Sequence, residues 1–143
     1  MVVGAGIVGC SAAYHLTRLG CPDVVVLDQG PLFATGGSSS HAPGLMFQNN
    51  SSRLQAELAR DSVELYSSLR ADGEPVFRQV GGIEVAATPE RWQELKRKLG
   101  YARSWGIPAE LIGPEEIRRL VPIMRTDRLH GAIHVPGVYA MLL

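Results

Sequence analysis

The sequence predicts an α/β fold that begins with a βαβ unit and continues into a mixed region of helices and strands. Two observations carry this prediction. A glycine-rich turn with Gly4, Gly6 and Gly9 stands between a short apolar strand and a helical pattern. The run DVVVLD, residues 23–28, then follows that helix. A short continuous apolar run of this kind is typical of a strand buried on both faces of a parallel sheet.

Residues 1–50 are predicted to hold this unit. Residues 1–3 end a strand, and their small number indicates that the sequence starts inside it, since strands usually run about 5–6 residues. The helix covers residues 7–19, where small and apolar side chains recur at helical spacing, and Gly20 is placed to end it. Residues 29–50 are rich in Gly, Ser, Pro and Asn and predict a long loop, which in compact domains is usually functional.

Residues 51–143 are predicted to lead into a second, incomplete α+β domain. The predicted elements are helices at 52–70, 88–106 and 114–120 and strands at 76–80, 82–87 and 129–135. Ser51 or Ser52 caps the first of these helices and Thr88 the second, with Pro89 at the first helical position. The apolar side chains expected on the inner faces of the two long helices are Leu54, Leu58, Leu65, Leu69, Trp92, Leu95, Leu99 and Ala102.

The composition argues against several classes of partner. Fourteen basic residues balance fourteen acidic ones, which leaves no net field to recruit nucleic acid or an anionic membrane. No apolar run approaches the roughly 18 residues of a membrane span. The sequence therefore predicts a cytoplasmic protein with no nucleic-acid or membrane partner. Cys10 and Cys21 have no metal-binding spacing, and we expect two reduced thiols packed as small apolar residues.

The glycine motif predicts a place for a pyrophosphate. Gly4 permits a tight turn, Gly6 lets a pyrophosphate approach the backbone, and Gly9 lets the helix pack closely on the strand. The N–H groups at the helix start favour an anion. Asp28 ends the second strand 22 residues after Gly6, where its carboxylate can accept hydrogen bonds from ribose hydroxyls. Asp28 could instead be an ordinary surface residue, and the motif leaves open whether the dinucleotide is NAD or FAD.

The loop after Asp28 ends in the string TGGSSSHAPGL, residues 35–45. It offers several backbone N–H groups and the hydroxyls of Ser38, Ser39 and Ser40, which suit the wrapping of a long cofactor beyond its pyrophosphate. His41 follows directly and places an imidazole beside whatever the loop wraps. A solvated flexible linker with an incidental histidine has the same composition, so both readings stay open.

Three segments carry a more specific resemblance: GGSSSHAPGLMFQ, QVGGIEVAATPERWQELKRKLGYARSWGI and LHGAIHVPG. They resemble the dimethylglycine oxidase, dimethylglycine dehydrogenase and sarcosine dehydrogenase branch of the amino-acid-oxidase-type flavoproteins, over a range from Val2 to about Gly137. The resemblance implies a Rossmann-like FAD-binding domain that starts in residues 1–50, a truncated substrate domain in residues 51–143, and FAD as cofactor. His41 matches the family histidine that is joined covalently to the 8α-methyl carbon of FAD.

The same resemblance implies a function and a set of contacts. The expected reaction is oxidation of the N-methyl group of dimethylglycine or sarcosine by hydride transfer to the flavin, with folate as a possible further partner in full-length members. No metal site and no catalytic acid or base is assigned. Residues expected to contact FAD are Gly4, Gly6, Ile7, Val8, Gly9, Asp28, Gln29, Gly37, Ser38, Ser39, Ser40, His41, Ala42, Pro43, Gly44 and Leu45.

Two alternatives stay open beside that function. The chain could be a non-catalytic fragment that at most binds the nucleotide part of FAD, or an NAD-dependent enzyme of ordinary Rossmann type. A sheet that lacks its later strands is expected to leave the edge of its first strand and one helix face uncovered.

Overall fold

The computed structural model describes residues 1–31, 36–50 and 52–141. The chain divides into two compact units, Met1–Pro43 and Gly44–Leu143. The predicted boundary lay at residue 50, whereas residues 44–50 belong to the second unit. Assignment of the two parts to an FAD-binding domain and a substrate domain stays a prediction. No helix in the described residues is long and apolar enough to cross a membrane.

The first unit contains the predicted βαβ arrangement. Strand β1 (Val2–Val3) is followed by helix α1 (Ile7–Arg18) and strand β2 (Val26–Leu27), and the two strands pair in parallel. Gly20 ends the helix as expected: its φ is +91°, its N–H donates to the Thr17 carbonyl, and the N–H of Cys21 donates to the Leu16 carbonyl. These two hydrogen bonds form the Schellman arrangement that a glycine after a helix permits.

Strand β2 is shorter and more exposed than its sequence predicts. Only Val26 and Leu27 pair with β1, and Val25, Val26 and Leu27 are 54%, 36% and 48% exposed. Burial on both faces was therefore the wrong expectation for this chain. The reason is that the described residues supply only two strands and one helix to this sheet. Val3 of the first strand is 78% exposed.

The predicted loop at 29–50 is partly ordered into regular structure. Residues Ser38–His41 form a single turn of 3₁₀ helix, and Leu45–Met46 form strand β3. The part of the predicted loop at residues 32–35 lies outside the described residues. These two short elements were not predicted, because neither is long enough to show hydrophobic periodicity in a sequence rich in loop-forming residues.

The second unit is built on two antiparallel three-stranded sheets and a small hairpin. Its helices are α2 (Arg53–Ser68), α3 (Pro89–Ser104) and α4 (Pro114–Leu120). Its remaining strands are β4 (Arg70–Ala71), β5 (Glu74–Pro75), β6 (Phe77–Gln79), β7 (Gly82–Ala86), β8 (Glu110–Ile112), β9 (Gly131–Val135) and β10 (Tyr139–Met141). The sheet orders are β3-β10-β6 and β7-β9-β8, and β4 pairs with β5. Strands β8 and β10 were not predicted.

Helix α3 forms as its sequence predicts. The Thr88 hydroxyl accepts a hydrogen bond from the N–H of Arg91 at 3.2 Å, and Pro89 occupies the first turn. Leu95 and Ala102 are fully buried, and they belong to a core that also contains Ile133 of β9. This helix therefore covers the sheet β7-β9-β8 with its predicted face.

Helix α2 has its expected bounds but the opposite buried face. Leu54 and Leu58, predicted to face inward, are 64% and 57% exposed, whereas Ala56 and Val63 are 3% and 8% exposed. At 100° per residue, Leu54 and Ala56 lie on opposite sides of the helix. Both sides of α2 carry apolar residues, so periodicity alone could not identify the buried one. Ser52 precedes the helix, but its side chain makes no capping hydrogen bond.

The β4–β5 hairpin was missed although its sequence carries a recognised signal. Asp72 and Gly73 form its two-residue turn with φ values of +51° and +86°. Asp-Gly is a favoured pair for such a turn because both central residues need a positive φ.

Candidate cofactor site

An open cleft of about 530 Å³ lies at the carboxyl ends of β1 and β2 in the first unit. In α/β folds, ligands bind at this edge of a parallel sheet, and the volume falls within the usual range of ligand pockets. The residues that line the cleft are Val3, Gly4, Gly6, Leu27, Asp28, Gln29, Gly36, Gly37, Ser38 and Ser39. The glycine motif, the end of the second strand and the serine segment therefore meet at one place.

Two glycines of the motif have clear structural tasks at the turn between β1 and α1. Gly4 has a φ of +96°, which an L side chain rarely adopts. A Cβ on Gly9 would lie 1.8 Å from the Gly4 carbonyl oxygen and 3.3 Å from Cγ1 of Val2. Only a glycine at position 9 therefore lets helix α1 pack this closely against the turn and strand β1.

Gly6, the middle glycine, meets a neighbour that the motif does not specify. A Cβ on Gly6 would lie 3.2 Å from the Ser39 hydroxyl oxygen. That oxygen accepts a hydrogen bond from the Ile7 N–H at 2.9 Å. The serine segment thus lies directly on the start of helix α1, a contact between residues 32 positions apart that the sequence pattern could not reveal.

Some backbone N–H groups at the glycine turn already donate hydrogen bonds within the protein, and others do not. Ala5 N–H donates to Asp28 and Ile7 N–H donates to Ser39. Within residues 1–31, 36–50 and 52–141, the N–H groups of Gly6, Val8 and Gly9 have no hydrogen-bond acceptor. These three N–H groups at a helix start are the donors that an anionic ligand can use.

Asp28 is tied to the backbone by both carboxylate oxygens. Oδ2 accepts the Ala5 N–H at 2.7 Å, and Oδ1 accepts the Gly30 N–H at 2.8 Å. These hydrogen bonds, the one from Ala5 foremost and then that from Gly30, hold the pKa of the Asp28 carboxyl below its ordinary value of 3.8. The carboxylate therefore links β2 to the glycine turn. Each oxygen keeps a further lone pair, so contact with ribose stays a prediction.

Asp28→Asn is expected to lower the stability of the first unit at neutral pH and to weaken its pH dependence. Because the folded-state pKa of Asp28 is depressed, its contribution is present above the unfolded pKa and is lost as the pH falls through the folded value. Denaturation of parent and variant between about pH 7 and pH 2 measures this difference, which should shrink below about pH 5. Asp23→Asn, at an exposed aspartate of the same unit, is the control. A constant difference across this range would contradict the role given to Asp28.

His41 ends the 3₁₀ turn with an exposed imidazole. Its Nδ1 lies 3.1 Å from the Gly37 carbonyl oxygen. A carbonyl can only accept, so Nδ1 carries the hydrogen, and in the neutral ring Nε2 keeps its lone pair. The ring is thus held by one nitrogen and leaves the other available for chemistry.

The remaining predicted contact residues fall in three places. Gln29, Gly37 and Ser38 line the cleft, whereas Ser40 belongs to the 3₁₀ turn without lining it. Ala42 and Pro43 follow that turn and end the first unit. Gly44 and Leu45 belong to the second unit, where the Gly44 carbonyl accepts the Met141 N–H and Leu45 pairs within β3. Contact of these residues with a cofactor stays a prediction.

Both cysteines differ from their predicted environment. Cys10 and Cys21 are free thiols, as expected, but they are exposed rather than packed inside. The Cys10 thiol contacts the Ala5 carbonyl oxygen at 3.3 Å. The first unit is too small to bury every face of α1, which leaves these positions at its surface.

The family model of FAD dependent oxidoreductases, DAO, matches residues 1–141. The chain belongs to this family. This finding confirms the α/β FAD-binding fold class and the resemblance drawn from the sequence motifs. Since the family is FAD-dependent, it also favours FAD over NAD for the cleft.

The chain is similar in sequence to two curated relatives and in structure to one solved protein. Dimethylglycine dehydrogenase from Rattus norvegicus is 35% identical over 139 residues, and the match covers 96% of this chain and 16% of the relative. Pyruvate dehydrogenase phosphatase regulatory subunit from Mus musculus is 34% identical over 138 residues, with 95% and 16% covered. Glycine oxidase from Geobacillus kaustophilus superposes with a TM-score of 0.81 at 26% identity, with 97% and 39% covered.

The chain therefore spans about a sixth of the length of these two curated relatives. Both relatives are named as mitochondrial proteins, so the cytoplasmic location stays a prediction.

Proposed function

We propose that this chain supplies the dinucleotide-binding part of an FAD-dependent amine oxidoreductase, with the flavin tethered to His41 and an N-methylated glycine as substrate. One observation carries the cofactor part of the proposal. The glycine turn, Asp28 and residues 36–39 line one cleft within one compact unit, and His41 ends the 3₁₀ turn two residues beyond that lining. The family match and the dimethylglycine dehydrogenase relative support the reaction type and the substrate class.

The residues of the cleft suit the parts of FAD. The N–H groups of Gly6, Val8 and Gly9 would hold the pyrophosphate, because they are donors at a helix start without acceptors in the described chain. The Asp28 carboxylate would accept from the ribose hydroxyls with its remaining lone pairs. When bound, FAD supplies the two-electron acceptor for the hydride of the N-methyl carbon.

His41 would carry the tether through Nε2, which would bond to the 8α-carbon of FAD in place of one C–H bond. The proton would leave to solvent and the two electrons would stay on the flavin ring, which molecular oxygen would then reoxidise. The hydrogen bond from Nδ1–H to the Gly37 carbonyl selects the tautomer in which Nε2 holds the lone pair. The same hydrogen bond holds the ring to its own turn, so less rotational freedom is lost when a bond forms. The imidazole is exposed, which leaves it accessible to a ligand in the unit.

A second candidate function has one specific observation in its favour. A relative as similar as the dehydrogenase is named a phosphatase regulatory subunit. A protein of similar sequence is thus named for regulation and not for oxidation. Under this alternative, the chain would bind FAD or its nucleotide part without oxidising an amine.

The cofactor part is tested by expressing the full chain with FAD, precipitating it with acid and measuring flavin fluorescence in the washed pellet. We expect fluorescence that stays with the polypeptide, and no comparable retention of NAD. A colourless pellet from a folded chain would contradict the tether.

The substrate part is tested in the protein that carries this chain. Anaerobic addition of dimethylglycine or sarcosine should bleach the flavin absorbance, whereas glycine, which lacks the N-methyl group, should not. Retention of flavin without bleaching by any of the three amines would favour the regulatory alternative.

A further inference from the structure

We propose that Ser39 is a positioning residue that couples the glycine turn to His41. The proposal rests on the proposed function, since it concerns how the His41 imidazole is placed for its tether. Ser39 would act through the hydrogen bond that its hydroxyl accepts from the Ile7 N–H, and not by contact with the reacting atoms.

The contact joins the start of α1 to the 3₁₀ turn. Ile7 is the first residue of α1, directly after the glycine turn, and Ser39 lies inside the 3₁₀ turn that ends in His41. The N···Oγ distance is 2.9 Å, and a Cβ on Gly6 would come within 3.2 Å of the same oxygen. The absence of a side chain at Gly6 thus provides the space that Ser39 occupies.

Hydrogen bonds within the 3₁₀ turn fix its conformation. A contact that holds Ser39 therefore also sets the positions of the other residues of the turn. The Ser40 N–H donates to the Gly37 carbonyl at 3.0 Å, and Nδ1 of His41 lies 3.1 Å from the same oxygen. Two hydrogen bonds therefore converge on Gly37. Because Ser39 attaches this short turn to the start of α1, its hydroxyl sets the position of the imidazole relative to the predicted pyrophosphate site.

This coupling predicts a specific kinetic signature. If FAD is held at the glycine turn, tether formation would require Nε2 of His41 to lie within reach of the reacting carbon of the flavin. Misplacement of a reacting group by about 1 Å can slow a reaction by about 100-fold. Loss of the Ser39 hydroxyl should therefore slow tether formation more than it weakens non-covalent FAD binding.

The test compares Ser39→Ala with Ser11→Ala in the full chain. Both variants remove a serine hydroxyl from the first unit, but among the described residues only the Ser39 hydroxyl accepts the Ile7 N–H, and Ser11 is not one of the residues expected to contact FAD. The appearance of acid-stable flavin over time gives the rate of tether formation, and ultrafiltration at early times gives the non-covalent affinity. We expect Ser39→Ala to slow the tether by about 10- to 100-fold with a small change in affinity. Ser39→Thr, which keeps the hydroxyl, should restore most of the rate.

A second readout needs no flavin. Amide hydrogen exchange at Ile7 in the free chain should be faster in Ser39→Ala than in the parent and unchanged in Ser11→Ala, because only the first variant removes the acceptor of the Ile7 N–H. Equal exchange at Ile7 in the two variants would overturn the coupling, as would equal tether rates. If the parent takes up no acid-stable flavin, the proposed tether fails, and exchange at Ile7 still decides whether Ser39 holds the turn.

Discussion

Gly9→Ala is expected to disrupt the βαβ unit and to cause the largest loss of stability of any substitution at the glycine turn. The new Cβ would lie 1.8 Å from the Gly4 carbonyl oxygen, so α1 has to move away from the turn and from Val2. Overpacking of this kind costs about 1–3 kcal/mol, and more where backbone atoms are the obstacle. Amide exchange at Val2 and Gly4, whose N–H groups donate to the carbonyls of Val25 and Leu27, should accelerate with it.

Gly100→Ala provides a matched control, because Gly100 is also a helical glycine but has open space around its Cβ position. This substitution should raise the free energy of unfolding by about 0.4–1 kcal/mol, since alanine reduces the freedom of the unfolded chain. Chemical denaturation of parent and both variants measures the contrast. Equal stability of Gly9→Ala and the parent would show that α1 does not pack on the turn as described.

His41→Ala is expected to abolish acid-stable flavin while leaving non-covalent FAD binding largely intact. Nε2 of His41 is the proposed point of attachment, whereas the proposed pyrophosphate donors are backbone N–H groups of Gly6, Val8 and Gly9 that the substitution does not touch. Acid precipitation measures the covalent fraction, and FAD titration followed by ultrafiltration measures the non-covalent affinity.

His15→Ala is the control for that experiment. His15 is an exposed histidine of the same unit, and its ring packs edge-on against Tyr14 with centroids 5.2 Å apart. The variant should keep acid-stable flavin at the parental level. Retention of covalent flavin in His41→Ala, or its loss in His15→Ala, would place the tether elsewhere.

The parts of the fold that sequence reasoning predicted are those governed by local rules. Gly4 and Gly9 stand at spacings that a strand, a turn and a helix require, and Thr88 with Pro89 forms a standard helix start. The buried face of α2 was not predictable in this way. Its leucines are more hydrophobic than Ala56 and Val63, but the two smaller side chains are the ones buried in the folded chain.

In the candidate site, too, features set by local sequence were predicted and contacts between distant segments were not. The motif predicted a nucleotide site at the glycine turn and Asp28, whereas the loop composition left open whether the serine segment takes part; the structure brings all three to one cleft. Asp28 was expected to face ribose, yet both of its oxygens already accept backbone N–H groups of Ala5 and Gly30. The hydrogen bond between Ser39 and Ile7 depends on the path of the intervening chain, which no local pattern encodes.

Mass spectrometry of the flavin-loaded chain tests the central claim most directly. Trypsin should release residues 19–53 as one peptide, because no lysine or arginine lies between Arg18 and Arg53. This peptide contains both Cys21 and His41, so fragmentation is needed to locate an adduct. We predict a mass increase corresponding to FAD on His41. An FAD adduct on Cys21 or on another peptide, or a folded chain that carries no adduct after incubation with FAD, would contradict the account.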